Sequence, residues 1–224
     1  MIKGKINEIF KSTQGEGLYL GEKQLFVRFF GCNLDCQFCD TRLNNFKEYS
    51  AEDLCREIRS LRKGVHSVSF TGGEPLLQKD FLKELLEFNF KEGSKNYLET
   101  NGSLPEALDD VIEYVDIVAM DVKLPSSTGQ AKLWEEHLKF LKIATKKEVF
   151  IKAIICQGTQ ESDLKMTISL IKELNKSLVL VLQPNCYDDP LALEDKLDTF
   201  RSICKKERVT VCVIPQMQKI MGLR

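Results

Sequence analysis

The sequence predicts an α/β fold built on a parallel sheet, and two features carry the prediction. Short runs rich in Val, Ile, Leu and Phe recur along the whole chain, at residues 25–30, 68–71, 97–100, 117–121, 149–155, 179–183 and 209–214. Runs of this length and composition read as strands buried on both faces. Amphipathic stretches separate them, and strand–helix alternation implies parallel strands joined by right-handed crossovers. A doubly wound sheet and an open, partial (β/α) barrel both satisfy the pattern, and periodicity does not choose between them. In either one the chemistry gathers at the C-terminal ends of the strands.

The helical stretches follow in order. Ser50 and Asp53 form a capping arrangement ahead of a stripe of Leu54, Ile58 and Leu61. Phe81, Leu82, Leu85 and Leu86 stripe a second helix, and Leu133, Leu138 and Leu141 fall in a third. Leu164, Ile168, Ile171 and Leu174 make a fourth, and Leu191, Leu197 and Ile203 a fifth. The weakest helical pattern covers residues 105–112. No repeat, low-complexity tract or long Pro/Gly/Ser linker interrupts the series, so one domain spanning residues 1–224 is expected.

Composition narrows the function. The apolar fraction of 43% supports a core, and a net charge of −1 provides no broad field for nucleic acid or an anionic membrane. No apolar run approaches the roughly 20 residues of a membrane span. The first residues lack the apolar stretch of a secretory signal, so a cytoplasmic location is expected, with no nucleic-acid or membrane partner. Eight cysteines are present: Cys32, Cys36, Cys39, Cys55, Cys156, Cys186, Cys204 and Cys212. A chain of this size needs no disulfide staples, and cytosolic thiols stay reduced. Three of the eight crowd into residues 32–39, which points to metal.

That segment reads Gly31-Cys32-Asn33-Leu34-Asp35-Cys36-Gln37-Phe38-Cys39-Asp40-Thr41, a C-x3-C-x2-C pattern on a loop after a strand. Three thiolates on one loop can each bind a different iron of a cubane. A [4Fe–4S] cluster takes four ligands, so one iron stays open to chelate the amino and carboxylate groups of S-adenosylmethionine (SAM). A structural zinc site is the competing reading, with His66 or a distant cysteine completing a closed set of four. One strand–helix unit later comes Ser69-Phe70-Thr71-Gly72-Gly73-Glu74-Pro75. Its glycines permit close backbone approach, and Glu74 can accept hydrogen bonds from an ammonium group. A simple Gly-Gly turn with Pro75 opening a helix is the plainer reading.

Together the triplet, the aromatic Phe38 before its last cysteine and the Gly-Gly-Glu-Pro segment resemble the radical SAM superfamily. The resemblance narrows further at Ile9-Phe10-Lys11-Ser12-Thr13-Gln14-Gly15-Glu16-Gly17, at Arg28, at Cys39-Asp40-Thr41 and at the tail Val213-Ile214-Pro215-Gln216-Met217-Gln218-Lys219. These segments are similar to those of the 7-carboxy-7-deazaguanine synthases over essentially the whole chain. The resemblance implies a partial (β/α)6 barrel of the radical SAM type, with an N-terminal substrate segment at 9–17 and a C-terminal tail at 215–224. It implies a lyase of queuosine and 7-deazapurine biosynthesis that converts 6-carboxy-5,6,7,8-tetrahydropterin to 7-carboxy-7-deazaguanine and releases ammonia. The implied cofactors are a [4Fe–4S] cluster, SAM and Mg²⁺, with Mn²⁺ left open. The implied partners are the pterin, an electron donor such as flavodoxin or ferredoxin, and a second copy in a homodimer.

Site roles carry over by position. Cys32, Cys36 and Cys39 match the cluster ligands, and Thr41 matches the magnesium position, with a cap or turn hydroxyl as the plainer reading. Phe38, Cys39, Asp40, Gly73 and Glu74 match SAM positions. So do Asp121, Val122 and Lys123, where many relatives carry Ser-Pro-Lys, and Gln183, Pro184, Asn185 and Cys186. Thr13, Gln14, Gly15, Glu16, Arg28 and Thr71 match substrate positions, and Arg224 stands at the terminus that reaches the substrate in relatives. A Gln amide suits the amide-and-amine edge of a pterin, and the Arg28 fork suits a carboxylate, unless it pairs with Glu16 or Asp40. Asn101 and Gly102 are expected to line the pocket. Cys55 and Cys212 read as core, His66 and His137 as structural, Trp134 as packing, and Lys142, Lys146 and Lys147 as a solvated face; Cys156, Cys186 and Cys204 have no assigned role. A glycyl-radical activase of the same superfamily and a non-enzymatic metal-cluster protein are the alternative functions.

Overall fold

A computed structural model describes residues 2–41, 44–174 and 177–222. One nine-stranded sheet organises it, in the order β3-β1-β2-β4-β5-β6-β7-β8-β9. The strands are β1 (Lys3–Thr13), β2 (Lys23–Phe29), β3 (Lys47–Ser50), β4 (Ser67–Gly72), β5 (Asn96–Thr100), β6 (Ile117–Asp121), β7 (Glu148–Ile155), β8 (Val179–Pro184) and β9 (Thr210–Val213). β1 runs antiparallel to both β2 and β3, and every other pairing is parallel. The helices are α1 (Ala51–Leu61), α2 (Lys79–Lys91), α3 (Pro105–Asp109), α4 (Pro125–Thr128), α5 (Trp134–Ala144), α6 (Glu161–Glu173), α7 (Pro190–Lys206) and α8 (Met217–Met221). Among the described residues no helix is long and apolar enough to cross a membrane.

The strand order resolves the choice that periodicity left open. From β2 and β4 through β9 each parallel strand lies beside its successor, with no reversal of order. A doubly wound sheet reverses at a switch point and so carries helices on both faces. Winding in one direction with right-handed crossovers keeps the helices on one face. Six strand–helix units, starting at β2, β4, β5, β6, β7 and β8, therefore form an open barrel wall, with β9 as its last stave.

Alternation gives the two faces of the wall different chemistry. Val27, Phe29, Val68, Phe70, Leu98, Val118, Met120, Ile151, Ala153, Leu180 and Leu182 face the helices and join their apolar stripes in the main core. The inward positions nearer the strand starts, Tyr97, Ile117, Ala119, Phe150 and Val181, form a small second cluster with Tyr19, Cys212 and Ile214. One alternation further along come Thr71, Glu99, Asp121, Lys152 and Gln183. The barrel interior is thus apolar toward its N-terminal end and polar at its C-terminal end.

All seven expected strands are present. The Ser50 cap is also present, its Oγ accepting from the Asp53 amide at 3.2 Å. Two antiparallel strands at one side of the sheet, the edge strand β3 and its neighbour β1, escaped the sequence reading, because they carry Lys, Asn, Glu and Ser on their open faces and show no apolar run. The stripe read for α7 needs correction. Leu191 is 78% exposed, whereas the expected Leu197 and Ile203 pack half-buried against the core beside the fully buried Leu193, Phe200 and Cys204. All eight cysteines are free thiols, with Cys55 and Cys204 buried and Cys212 half-buried against the inner cluster.

Candidate active site

A cavity of about 530 Å³ opens at the C-terminal ends of the strands, and the cysteine loop forms one wall. The end of β4 fixes that loop. The Gly73 amide donates to the Phe29 carbonyl at 3.2 Å, and the Glu74 amide to the Gly31 carbonyl at 2.8 Å. No side chain fits there. A Cβ on Gly72, whose φ is 138°, would lie 2.2 Å from the Phe29 oxygen, and one on Gly73 would lie 2.0 Å from the Gly31 oxygen. The far side of the loop is tied to the end of α4 and the residues after it, where the Gln37 amide donates to the Thr128 carbonyl and Gln130 Nε2 donates to the Asp35 carbonyl.

Cys32, Cys36 and Cys39 all line the cavity. Burial pushes the Cys32 thiol up, and it pushes Cys36 up to about 11, so metal binding at these sulfurs displaces a proton. Among the described residues no three His, Cys, Asp or Glu side chains converge on a position for a single metal ion. Three sulfurs on one loop, with no fourth protein ligand grouped beside them, suit a cluster that spreads its irons.

The opposite wall is a polar network. Gln14, 3% exposed, donates through Nε2 to Gln24 Oε1 at 2.9 Å and to Glu99 Oε1 at 2.8 Å, and its own Oε1 accepts from the Glu16 amide. Thr71 Oγ1 donates to the other Glu99 oxygen at 2.8 Å. Arg28 lies 5.7 Å from the centre of the Phe10 ring, which stacks on Phe26, and its Nε donates to Glu8 at 2.8 Å rather than to Glu16 or Asp40. Lys123 pairs with Asp121 at 2.7 Å and lies 5.8 Å from the Phe38 ring.

Glu16 joins the two ends of the chain. It accepts from Lys152, from Gln216 Nε2 at 2.9 Å and from Gln218 Nε2 at 2.6 Å. Burial acts to raise its carboxyl, but the Lys152 charge and these donors outweigh it and hold the group down at about 2. The Met217 amide donates to the Gly15 carbonyl at 2.9 Å, and a Cβ on Gly15 would strike Gln218. Gln216 also reaches Asp40 at 3.2 Å, Lys219 pairs with Asp40 at 3.5 Å, and Thr41 Oγ1 donates to Asp40 Oδ1 at 3.2 Å.

Several atoms in this wall lack protein partners. Asp121 Oδ1, Gln218 Oε1 and both amide atoms of Gln183 are buried with no hydrogen bond within the protein. Leaving such a group unpaired costs about 1–3 kcal/mol. Their concentration in one cavity marks a surface built to receive a polar ligand, and with the three sulfurs it fits a cluster plus a ligand of amino-acid and nucleoside character.

Most expected site residues meet here. Thr13, Gln14, Gly15, Glu16, Arg28, Phe38, Cys39, Asp40, Thr41, Thr71, Gly73, Asn101, Asp121, Lys123, Gln183 and Asn185 all line the cavity. Others do not, and alternation explains most of them. Val122 turns into the core among the helices, 1% exposed, between inward-facing Asp121 and Lys123. Pro184 alternates away between Gln183 and Asn185, and Cys186 lies exposed beyond the strand end. Glu74 is fully buried, its carboxylate accepting from Thr100 Oγ1 and the Leu76 and Asn101 amides. Burial raises it to about 7, and it serves as a cap and brace between strand ends rather than a cavity wall. Gly102, at a φ of 68°, turns away against Met120. Arg224 lies outside the described residues.

Glu8, Glu99 and Lys152 line the cavity without a site role having been expected for them, as do Gln216 and Gln218 of the tail segment. Two of them had a readable signal: a charged residue at an inward position of an apolar strand, as in Tyr97-Leu98-Glu99 and Ile151-Lys152-Ala153.

Comparison with known proteins bears on the family and the fold. The radical SAM superfamily profile matches residues 26–171. The chain is 34% identical to a 7-carboxy-7-deazaguanine synthase of Geobacter sulfurreducens over 97% of both chains. It is 32% identical to a protein of the same name from Methanothermobacter thermautotrophicus, covering all of this chain and 99% of the relative. Among solved structures, QueE from Escherichia coli superposes with a TM-score of 0.67 at 22% identity, covering 94% of this chain and 93% of that one. Streptococcus suis SuiB bound to S-adenosylmethionine superposes at 0.60 with 20% identity over 82% of this chain and 44% of the other, a likeness of fold.

Proposed function

The chain belongs to the radical SAM superfamily and, within it, to the 7-carboxy-7-deazaguanine synthases, and on that premise we propose how its residues divide the work. It is a radical SAM enzyme of queuosine and 7-deazapurine biosynthesis, with a [4Fe–4S] cluster, SAM and Mg²⁺ as its cofactors. The substrate proposed is 6-carboxy-5,6,7,8-tetrahydropterin, contracted to 7-carboxy-7-deazaguanine with loss of ammonia.

Cys32, Cys36 and Cys39 hold the cluster, and the cluster with SAM supplies the radical chemistry when bound. The rest of the chain binds, orients and excludes water. Gln183 and Asp121 offer their unpaired polar atoms to SAM, with Phe38, Asp40, Gly73, Lys123 and Asn185 around it. On the substrate side, the Arg28 guanidinium receives the carboxylate, held at its Nε by Glu8. Glu99, already oriented by Gln14 and Thr71, presents acceptor oxygens to the amide-and-amine edge of the pterin. Glu16 locks the 13–16 segment to the tail, closing the cavity beside Asp40 and Thr41. The Thr41 hydroxyl is a hard oxygen donor suited to Mg²⁺, whose remaining positions go to water and substrate oxygens. A flavodoxin or ferredoxin as reductant, a homodimeric state and a cytoplasmic location complete the reading.

The observation that carries it is the meeting, in a single cavity, of three cysteines from one loop with the buried, unpaired amide of Gln183 and the unpaired Oδ1 of Asp121. The test is anaerobic turnover of reconstituted protein with SAM, a strong reductant and the carboxytetrahydropterin. Mass spectrometry should find 7-carboxy-7-deazaguanine with the native chain and none with Cys36→Ala. Clean cluster reduction without product would favour the activase alternative.

A further inference from the structure

The loop after β5 places an amide against one of the three sulfurs. Asn101, 5% exposed, stands behind Cys32 with its Nδ2 3.9 Å from Sγ. The orientation of this amide is fixed by a donor that cannot be reversed. The Ser103 backbone N–H, at 3.0 Å, must meet the Asn101 oxygen, so the NH₂ group faces Cys32 and Asn33. Asn101 Nδ2 donates to Asn33 Oδ1 at 2.9 Å, Asn33 Nδ2 donates to Ser103 Oγ at 2.8 Å, and Ser103 Oγ donates back to Asn101 Oδ1 at 2.5 Å. This closed ring of three side chains consumes one Nδ2 proton and leaves the other directed at sulfur. A ring whose bonds run in one sense reinforces itself.

The Asn101 backbone is anchored as well. Its carbonyl accepts from His137 Nε2 at 3.2 Å, and its amide donates to Glu74 at 2.8 Å. His137 is fully buried with its ring edge-on to Trp134. Cys32 Sγ also accepts from the Leu34 amide at 3.5 Å, so this sulfur has two N–H neighbours. By contrast, the contact recorded for Cys39 is to a carbonyl, that of Thr41.

We propose that Asn101 is a positioning residue that sets the reduction potential of the cluster through an N–H···S hydrogen bond to Cys32, with Asn33 and Ser103 holding the amide in place. The inference rests on the reading of Cys32, Cys36 and Cys39 as cluster ligands. Hydrogen bonds to ligating sulfur are one of the levers that set cluster potentials. They stabilise the reduced, more negative cluster more than the oxidised one, so losing the donor makes reduction harder.

The test compares native protein with Asn101→Ala, Asn101→Leu and Ser103→Ala, each reconstituted anaerobically. Iron and sulfide are counted, and the midpoint potential is read by electron paramagnetic resonance during reductive titration. Iron content should match in all four proteins. In both Asn101 variants the reduced-to-oxidised ratio at a fixed poise should fall about tenfold, equivalent to about 59 mV for one electron. Ser103→Ala, which keeps the amide, should stay closer to the native value. Equal potentials in native and Asn101 variants would overturn the proposal, as would failure of both Asn101 variants to assemble a cluster, which would make the residue purely structural. A native protein that yields no four-iron signal would instead remove the ligand reading beneath it.

Discussion

At the residue scale, the site is held together by buried groups whose partners are other chain segments. Glu16 is the clearest case, since one carboxylate accepts from Lys152, Gln216 and Gln218. Its folded carboxyl titrates at about 2 against an ordinary 4.5, so the unfolded chain binds the extra proton between those values. The stability it contributes is therefore fully present above pH 4.5 and is lost as pH falls toward 2. Thermal unfolding followed across that window should show the loss in the native chain and a flatter profile in Glu16→Ala. At neutral pH the same variant removes the carboxylate paired with buried Lys152 and leaves it only the Glu99 and Asp121 charges, which costs up to about 3–5 kcal/mol. Glu74 has the opposite sign. Burial raises it to about 7, so its contribution is greatest below pH 4.5 and declines as pH rises through 7. Glu16 was legible as a site position only through family resemblance, because the partners that depress it lie far along the chain in β7 and the tail.

At the element scale, the junction between β4 and the cysteine loop leaves no room for a side chain. Gly73→Ala places a Cβ against the Gly31 carbonyl, a backbone atom that cannot swing aside. The expected cost is about 1–3 kcal/mol, together with a loss of bound iron after reconstitution; a melting curve and an iron assay read both. The same scale shows where sequence pattern succeeds. Strands buried on both faces announced themselves as apolar runs, while β1 and β3, with one face open, did not. Reading 121–123 and 183–186 as blocks carried Val122 and Pro184 into the site, although a period of two points them away. In α7 only Leu191 of the expected stripe fails, because it sits in the exposed first turn, while Leu197 and Ile203 pack against the core. Accordingly Leu191→Ser should change stability by less than about 0.5 kcal/mol, whereas Leu193→Ala should cost about 2–5 kcal/mol. Denaturant unfolding of the two variants separates them.

At the scale of the whole molecule, winding in one direction divides the sheet into a helix-packed face and an inner face. The inner face is closed by Tyr97, Ile117, Ala119, Phe150 and Val181 below and lined with polar groups above. Which groups reach that upper layer was partly readable, since Glu99 and Lys152 interrupt apolar strands. The architecture itself required strand order, which no local pattern encodes. The central claim is that one loop supplies three sulfur ligands to a four-iron cluster and leaves the remaining iron facing the cavity that receives SAM. It is tested most directly by the electron paramagnetic resonance spectrum of the reduced, reconstituted protein before and after addition of SAM. The account predicts a [4Fe–4S]⁺ signal that changes shape when SAM binds. A protein that retains zinc in place of iron and sulfide, or a cluster whose spectrum is indifferent to SAM, would contradict it.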